Sequence, residues 1–352
     1  MRIRPTGIAV YGRGLIQALS DRSPARYELI HPLSRWGRRR SLRDAGAGLP
    51  IRAYTTGRSL ASRYSLVHAL DTRLPGGYSG PLVVTVFDVL SAMPESEELG
   101  FSSPRFRAKK LEAYDRLARS ADAIITLSHS TRDALVESFR PRGPVYVIPP
   151  GVAVPEPLSV EERATLLAPL GIQAPFVLTV GALCPRKNVE ACVRAALVAR
   201  KTVPVLKLVL VGEPLPGWEG SAGARAVESA RDLVVLAGYL PPRALQAAYQ
   251  SAEAVVHLAH HEGYGLTVLE ALVSGTPVLA SDRGGIPEAA GGAAWLVNPD
   301  EPGAAGLHLL EILKKSPEVR ARGLKGIAHA RSLRWETTAE RVEQVYHEVL
   351  GV

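Results

Sequence analysis

The sequence has little cysteine and no long apolar run. Its 352 residues include only two cysteines, Cys184 and Cys192, which excludes a disulfide framework and a zinc-knuckle spacing. No apolar stretch approaches the ~18–20 residues of a membrane-spanning helix, and the first residues lack the apolar core of a signal peptide. We therefore expect a soluble, cytoplasmic protein. Aromatic residues make up 6% and no nucleic-acid-binding module is recognisable, so a nucleic acid partner is not expected.

The positive charge is concentrated in the first half of the chain. Residues 1–150 contain 23 Lys and Arg against 13 Asp and Glu, whereas the remainder contains 19 against 21. The densest run is Arg38, Arg39 and Arg40 with Arg43. This asymmetry indicates an anionic partner for the N-terminal half. Both a solvated basic loop and peripheral docking on the anionic inner face of a membrane fit it.

Several common motifs are absent. There is no GxGxxG fingerprint, since Gly12-Arg13-Gly14 lacks the third glycine, and no GxxxxGK[ST] loop, which argues against a nicotinamide enzyme or a P-loop NTPase. The histidines at 257, 260 and 261 do not follow the HExxH spacing. We interpret them as structural or solvated, and no metal site is expected.

Both halves of the chain alternate short apolar runs with helical patterns. Because the runs are apolar throughout, they predict parallel strands buried on both faces. Two such sets predict two doubly wound α/β domains with a ligand cleft between them, joined by the Pro-rich stretch 149–159. A helix over 130–139 is expected to start with Ser130 and Asp133 in a capping arrangement. The predicted strands are 28–32, 51–54, 65–70, 82–88, 123–128 and 145–150, then 176–181, 206–212, 233–239, 254–259, 277–281 and 294–297.

The most informative segment is HHEGYGLTVLEALVSGTPVLAS at 260–281. A glycine-containing turn there precedes a helix that starts near Leu266, and a helix N-terminus binds phosphate well. Glu262 stands before this helix and Glu270 lies inside it, about 12 Å apart along a helical rise. Carboxylates accept hydrogen bonds from sugar hydroxyls, so the pair fits a hexose and a ribose on either side of a diphosphate. The alternative is a surface helix with two solvated glutamates.

A second segment, LTVGALCPRKNVEA at 178–191, places Arg186 and Lys187 between a strand and a helix that starts near Asn188. Cations are disfavoured at a helix N-terminus, so their presence there indicates a bound anion. Arginine offers a forked pair of donors and lysine a point charge, which together suit a diphosphate leaving group.

With these two segments, the motifs ADAIITLSHSTRDAL (121–135), VIPPGV (147–152) and RWETTAERVEQVY (334–346) make the chain resemble the retaining glycosyltransferases of family 4. The resemblance implies a GT-B fold, α/β, with two doubly wound Rossmann-like domains facing a central cleft. Residues 1–152 would bind the acceptor, residues 153–333 the nucleotide sugar, and a helix at 334–352 would return to the first domain.

The implied activity is transfer of a hexose from a nucleotide diphosphate sugar to a glycan, glycolipid or small-molecule acceptor, with retention and without a metal or other cofactor. The segments look mannosyltransferase-like, as in bacterial polysaccharide assembly, so GDP-mannose is favoured and UDP-hexoses come next. The rivals are another GT-B enzyme, such as an epimerase or a phosphorylase, and a non-catalytic binding protein.

The resemblance also implies residue roles. Glu262 would contact the donor hexose and Glu270 the ribose, while Arg186 and Lys187 would take the diphosphate. The other implied donor-site residues are the turn at Gly181, the backbone of Gly263, Tyr264, Gly265, Leu266 and Thr267, Tyr239 and Leu240 beside the base, and Gly7 and Ile8 from the first domain.

Three departures from the family pattern stand out. Only five residues precede Thr6, so either the first strand is missing or the chain starts late. Phe87-Asp88 stands where many relatives have His-Asp, which leaves Asp88 as a candidate acceptor contact or base. Ala182 follows Gly181 where relatives often have a basic residue. His129, just beyond a predicted strand, is a further candidate acceptor contact.

Overall fold

The computed structural model describes residues 7–23, 26–34, 48–100 and 102–352. The basic run at 38–43 and the residues before Gly7 lie outside these ranges, so the expectations about them stay predictions. In the described part of the chain, every helix is too short or too polar to span a lipid bilayer.

The strands and helices follow the predicted alternation, and a strand lies within each of the twelve predicted stretches. The strands are β1 Leu29–Pro32, β2 Ile51–Tyr54, β3 Val67–Ala69, β4 Leu82–Val86, β5 Ala123–Thr126, β6 Val145–Val147, β7 Phe176–Val180, β8 Lys207–Val211, β9 Val234–Gly238, β10 Ala254–His257, β11 Val278–Ser281 and β12 Trp295–Val297. The helices are α1 Gly7–Arg22, α2 Arg58–Ala61, α3 Glu95–Glu98, α4 Pro104–Ser120, α5 His129–Phe139, α6 Val160–Leu167, α7 Val189–Arg200, α8 Ala222–Ser229, α9 Pro242–Ser251, α10 Leu266–Val273, α11 Ile286–Ala290, α12 Pro302–Leu313, α13 Pro317–Ser332 and α14 Trp335–Leu350.

The chain divides into two compact units. The first comprises residues 1–92, 105–152 and 333–352, and the second comprises 93–104 and 153–332. The segment 93–104 therefore differs from the sequence-based division, which placed it in the first domain. It contains α3, and a Cβ added at Gly217 would lie 3.6 Å from the carbonyl oxygen of Gly100, within the second unit.

The first unit contains a four-stranded parallel sheet with the order β3-β4-β5-β6 and a separate parallel pair, β1-β2. Every residue of β4 and β5 is buried, as expected for strands covered on both faces. Helix α5 starts at His129 rather than at the predicted Ser130. Its cap is Ser128, whose side chain accepts a hydrogen bond from the Thr131 amide at 3.0 Å. Ser128 and Ser130 are only two residues apart, so sequence spacing alone selected Ser130 as the cap, which was wrong.

Helix α14 closes the first unit by packing on α1. The Trp335 ring meets the buried Tyr11 ring edge-on, with centroids 5.7 Å apart. Farther along α14, the Tyr346 hydroxyl lies 2.7 Å from Nδ1 of His68, and His68 Nε2 lies 2.8 Å from the Thr85 hydroxyl. Burial lowers the pKa of His68 to about 3, so this link between α14 and the sheet is made by a neutral imidazole.

The second unit is built on a six-stranded sheet with the order β12-β11-β10-β7-β8-β9, in which all neighbours are parallel. The chain builds outward from β7 to β9, then returns to the other side of β7 and builds outward again from β10 to β12. The direction of winding therefore reverses between β7 and β10. In open α/β sheets, the crevice outside the carboxyl ends of the strands at such a reversal is the usual place for a ligand.

Close packing of α1 on α14 depends on Gly14. A Cβ at this position would overlap the indole of Trp335. We expect Gly14→Val to destabilise the protein by about 1–3 kcal/mol, the usual cost of overpacking a tight contact, and to lower the midpoint in a thermal melt. The control is Gly303→Ala, at an exposed helical glycine with no atom near its Cβ position. Gly303→Ala should leave the melting temperature unchanged or raise it. Equal melts for the two variants would contradict this account of the interface.

Candidate functional site

The two informative sequence segments meet at the winding reversal. After β7 come Gly181 and a short 3₁₀ turn, Pro185–Lys187, which leads into α7. After β10 comes the loop 258–265, which leads into α10. Since β7 and β10 are paired neighbours in parallel orientation, both connections leave the same edge of the sheet. The sequence segments are about 75 residues apart, yet they form one site.

Gly181 makes room for the side chain of Lys187. Its φ of 139° is a backbone conformation that L side chains rarely adopt, and an added Cβ would lie 3.0 Å from Lys187 Cε and 3.1 Å from Nζ. The Gly181 amide donates to the carbonyl of Val211 at 2.9 Å, which holds the turn on the end of β8. The lysine side chain is therefore directed along a backbone surface that only glycine provides.

Hydrogen bonds join the turn after β7 to the loop after β10 in both directions. The His260 amide donates to the carbonyl of Arg186 at 3.0 Å, and Arg186 Nη1 donates to the carbonyl of His261 at 2.8 Å. Asn188 ends the turn with a φ of 48°, a left-handed conformation that asparagine tolerates. Its side-chain oxygen accepts from the Ala191 amide and so caps α7. The turn is thus fixed at both ends.

The centre of the site is Glu262. Its Oε1 lies 2.5 Å from Lys187 Nζ and 2.9 Å from Arg186 Nη1. The Glu262 and Lys187 side chains are only 15% and 13% exposed. Burial alone would raise the pKa of the Glu262 carboxyl, but the charges of Lys187 and then Arg186 outweigh burial and hold the pKa well below its usual range. In this state, the two predicted phosphate-binding cations both pair with the predicted sugar-binding carboxylate.

His257 is a site residue that the sequence analysis missed. It ends β10, is 2% exposed, and directs Nε2 toward Glu262 Oε1 at 3.6 Å. Burial, reinforced by the charge of Lys187, lowers the pKa of its imidazole, so His257 is neutral near pH 7. From the sequence, this histidine was tested only as a metal ligand and was interpreted as structural or solvated. Its place at the carboxyl end of a predicted strand was the signal that could have found it.

Glu270 lies one turn into α10, with its carboxylate partly buried. Its Oε2 accepts a hydrogen bond from the Tyr249 hydroxyl of α9 at 2.8 Å. Burial raises the pKa of Glu270, while the hydrogen bond from Tyr249 opposes the shift. Tyr249 was not predicted, because nothing in the sequence around α9 indicates that it faces α10.

Two adjacent glycines, Gly284 and Gly285, support the loop that carries Glu262. Gly284 and Gly285 pack so closely on it that a Cβ at Gly284 would overlap the Glu262 carbonyl oxygen, and one at Gly285 that of Gly263. The Gly285 amide donates to the Glu262 carbonyl at 2.9 Å. The loop then ends at Gly265, which precedes the first turn of α10. These glycines fix the position of Glu262 just before the N-terminus of α10.

The other predicted donor-site residues of the second unit differ in exposure. Tyr239, directly after β9, is 40% exposed, whereas Leu240 and Tyr264 are buried at 2% and 5%. Leu266 and Thr267 form the partly buried first turn of α10. A buried Tyr264 is consistent with a role for its backbone rather than its ring.

Four predicted residues lie in the first unit. Gly7 and Ile8, expected in a loop, form the exposed first turn of α1, and Ile8 is 48% exposed. Asp88 follows β4, and its carbonyl accepts a hydrogen bond from the Tyr114 hydroxyl at 2.5 Å. His129 is the exposed first residue of α5. Their roles toward a donor or an acceptor stay predictions.

Three histidines of the second unit, at 257, 260 and 261, are adjacent to this site. His260 Nδ1 lies 3.5 Å from an oxygen of Asp300, while His257 faces Glu262. Within the ranges that the structure describes, there is no group of three or more His, Cys, Asp or Glu side chains that could hold a metal ion.

Comparison with known proteins places this site in a family. The family described as "Glycosyltransferase Family 4" matches residues 12–154, and the family described as "Glycosyl transferases group 1" matches residues 166–326, which contain the whole Arg186–Glu270 site. The chain belongs to these glycosyltransferases. The resemblance inferred from the sequence motifs is thereby confirmed.

Curated relatives carry the names of glycosyltransferases. A D-inositol 3-phosphate glycosyltransferase from Acidothermus cellulolyticus is 32% identical over 257 residues, 66% of this chain and 54% of the relative. An O-antigen chain mannosyltransferase B from Escherichia coli is 29% identical over 174 residues, 49% of this chain and 45% of the relative. The matched part of the chain therefore spans about half the length of these curated relatives.

Solved structures agree on the fold. Anabaena HepE, solved in complex with UDP-glucose, superposes with a TM-score of 0.76 at 18% identity and covers 98% of this chain and 97% of its own. At that identity the similarity concerns architecture alone, and it confirms the expected GT-B fold with Rossmann-like domains.

The ion pairs of Glu262 generate a pH-dependent prediction. Because the pKa of Glu262 is lowered in the folded protein, the ion pairs stabilise the fold above the unfolded pKa of about 4.3, and their contribution is lost as the pH falls through the folded pKa. Glu262→Gln should destabilise the protein at pH 7 by roughly 1–3 kcal/mol, less than for a fully buried pair because the site is partly exposed. The melting-temperature gap between wild type and variant should then narrow below about pH 4.

The matched control is Glu228→Gln, which breaks an ion pair with Arg231 whose side chains are 65% and 73% exposed. Surface pairs of this kind contribute about 0–1 kcal/mol, so this variant should melt close to wild type at both pH values. A Glu262→Gln gap that stays constant with pH would rule out the ionised carboxylate as the source of the effect.

Proposed function

We propose that the chain transfers a hexose from a nucleotide diphosphate sugar to an acceptor hydroxyl with retention of configuration, and that the donor binds at the Glu262 site. The observation that carries the proposal is the pair of cations, Arg186 and Lys187, held on one partly buried carboxylate oxygen at the winding reversal of a parallel sheet. A surface salt bridge would not need the glycines at 181, 284 and 285 to position it.

In this proposal the diphosphate replaces the Glu262 carboxylate as the partner of Arg186 and Lys187. The amides of the first turn of α10 provide further donors, and the helix dipole favours the negative charge. Once the cations turn to phosphate, Glu262 is free to accept hydrogen bonds from donor hexose hydroxyls. Glu270, held by Tyr249, would accept from the ribose hydroxyls.

The proposed chemistry rests on positioning and on stabilisation of the leaving group. The acceptor oxygen attacks the anomeric carbon from the face that the diphosphate is leaving, and the hydroxyl proton passes to the departing phosphate oxygen. No protein nucleophile is therefore needed, and retention results. Lys187 and Arg186 stabilise the charge that grows on the departing diphosphate. Ordering donor and acceptor in one site supplies the rest of the rate enhancement. Asp88 and His129 are the proposed acceptor-side contacts from the first unit.

Two donors are compatible with the proposal. The favoured GDP-mannose is supported by the sequence similarity to a named mannosyltransferase. UDP-hexoses are supported by the architecture shared with HepE, which was solved with UDP-glucose. The acceptor class stays at the level of a glycan, glycolipid or small molecule, and several relatives are named D-inositol 3-phosphate glycosyltransferase.

A nucleotide screen tests the donor site. UDP, GDP, ADP and dTDP should be compared by thermal shift, with and without a divalent cation. A nucleotide at 100 times its dissociation constant stabilises a protein by about 2.7 kcal/mol, so the preferred nucleotide should raise the melting temperature by a few degrees without metal. Lys187→Ala should lose most of this shift and, with the intact donor, most of the turnover, because the diphosphate loses its most buried cation.

The control is Lys201→Ala, an exposed lysine at the opposite end of α7 from the site. It should bind nucleotide and turn over as the wild type does. Near-normal turnover in Lys187→Ala would refute the leaving-group role, and a wild type that responds to none of the four nucleotides would refute the donor site.

We also propose peripheral association of the first unit with anionic membranes. The support is the basic N-terminal half and helix α4, which exposes Arg105 and Lys109 near Phe106, itself 46% exposed, and Arg116 farther along the helix. Clustered basic side chains contribute about 1 kcal/mol each at an anionic lipid surface. The protein should co-sediment with vesicles that contain anionic lipid but not with neutral vesicles, and salt should release it.

Charge reversal separates α4 from the net charge of the chain. Changing Arg105, Lys109 and Arg116 to Glu should abolish co-sedimentation. Changing the exposed residues Arg225, Arg231 and Arg243 of the second unit to Glu alters the net charge by the same amount and should leave co-sedimentation intact. Equal loss in both triple variants would mean that net charge, rather than this helix, drives binding.

A further inference from the structure

His257 has a polar atom that the rest of the site leaves unsatisfied. Its Nε2 is fully buried and has no hydrogen-bond partner. Buried polar atoms in native proteins nearly always have one, so this exception calls for an explanation. The imidazole is neutral, and a neutral imidazole carries its single N–H on one of its two nitrogens.

The atom that Nε2 faces explains why it is unpartnered. Glu262 Oε1 lies 3.6 Å away, just beyond a hydrogen bond, and the same oxygen already binds Lys187 at 2.5 Å and Arg186 at 2.9 Å. A carboxylate oxygen has two lone pairs, and both are taken by the cations. His257 is therefore a third nitrogen placed against an oxygen that accepts two donors.

The charged groups around His257 come from both connections at the sheet edge. Among the described residues, Lys187 and Arg186 act on it from the turn after β7, and Glu262 acts on it from the loop after β10. When an anion draws Lys187 or Arg186 away, a lone pair on Oε1 becomes free. Nε2 then needs to move only a few tenths of an ångström to reach hydrogen-bond distance.

We propose that His257 is a positioning residue for Glu262: its Nε2–H is the reserve donor that holds the carboxylate in place when Arg186 and Lys187 turn to a diphosphate. The contacts of His257 are observed, whereas the state in which Arg186 and Lys187 bind a diphosphate rests on the proposed donor site. Without such a donor, Glu262 would be left in a partly buried position with fewer partners at the moment when it has to accept hydrogen bonds from the sugar.

The first experiment does not depend on nucleotide. Protein labelled with 15N-histidine is examined by NMR, and the spectrum of His257→Phe identifies the resonances of His257 among the nine histidines. The wild type should show the Nε2–H tautomer and should titrate below the ordinary histidine pKa of about 6.5. In Lys187→Ala, the Nε2–H resonance should shift downfield as the hydrogen bond to Glu262 forms.

Two results would overturn the proposal: an Nδ1–H tautomer in the wild type, or an Nε2–H resonance that Lys187→Ala leaves unchanged. Inorganic pyrophosphate and the nucleotide preferred in the thermal screen should cause the same downfield shift in the wild type. If Lys187→Ala shifts the resonance and these anions do not, the reserve hydrogen bond stands and the proposed diphosphate site is the part that fails.

The second experiment measures the consequence for catalysis. His257→Phe removes the donor, and His257→Gln keeps an N–H close to the position of Nε2. We expect His257→Phe to lower kcat about tenfold, the loss of one hydrogen bond in the transition state, with the donor KM changed by less than about twofold. His257→Gln should recover most of kcat. Equal loss in both variants, with both folded by thermal melt, would contradict a role through the N–H.

Discussion

One carboxylate oxygen, Oε1 of Glu262, joins the two connections on which the candidate site is built. Lys187 and Arg186 approach it from the turn after β7, and His257 approaches from the end of β10. The glycines at 181, 284 and 285 matter because they let backbone and side chains come close enough for these distances to form. The pairing of β7 with β10 brings the two connections to one sheet edge, and the carboxylate sets their final spacing.

This arrangement explains how two cations are tolerated beside the N-terminus of α7. A helix N-terminus carries a partial positive charge, so Arg186 and Lys187 are unfavourable there without an anion. The sequence suggested that the anion is a ligand. The structure shows that the protein also supplies one itself in Glu262. The bound anion therefore stays a prediction, and a single sequence offers no way to see that a carboxylate 75 residues away pairs with both cations.

Most of the fold could be predicted because its signals are local. Strands buried on both faces read as short apolar runs, and each predicted run contains a strand, from β1 at Leu29–Pro32 to β12 at Trp295–Val297. Two predictions differ from the structure because they concern features that apolar runs do not report. The choice between Ser128 and Ser130 as the cap of α5 depends on backbone angles. The place of residues 93–104 in the second unit depends on long-range packing.

The candidate site was predicted in its charged residues and missed in its neutral ones. Arg186, Lys187, Glu262 and Glu270 have residue types that are costly to bury, so a sequence position beside a predicted phosphate-binding turn already requires an explanation. Tyr249 and His257 are common core residues, and only the tertiary contact with a glutamate gives them a role. Spacing in the sequence identifies the charged groups of the site, but the neutral side chains that face them come from other helices and strands.

The internal counter-ion has a consequence for the proposed reaction. A diphosphate gains Lys187 and Arg186 only by taking them from Glu262, so part of its electrostatic attraction is spent on breaking existing ion pairs. An intact donor sugar offsets this loss, because its hydroxyls give Glu262 new partners. A free nucleoside diphosphate binds the same two cations but brings no hexose hydroxyls, so this loss is not offset. The exchange thereby favours the intact donor over the spent nucleotide, without any difference in the contacts made to the base or the ribose.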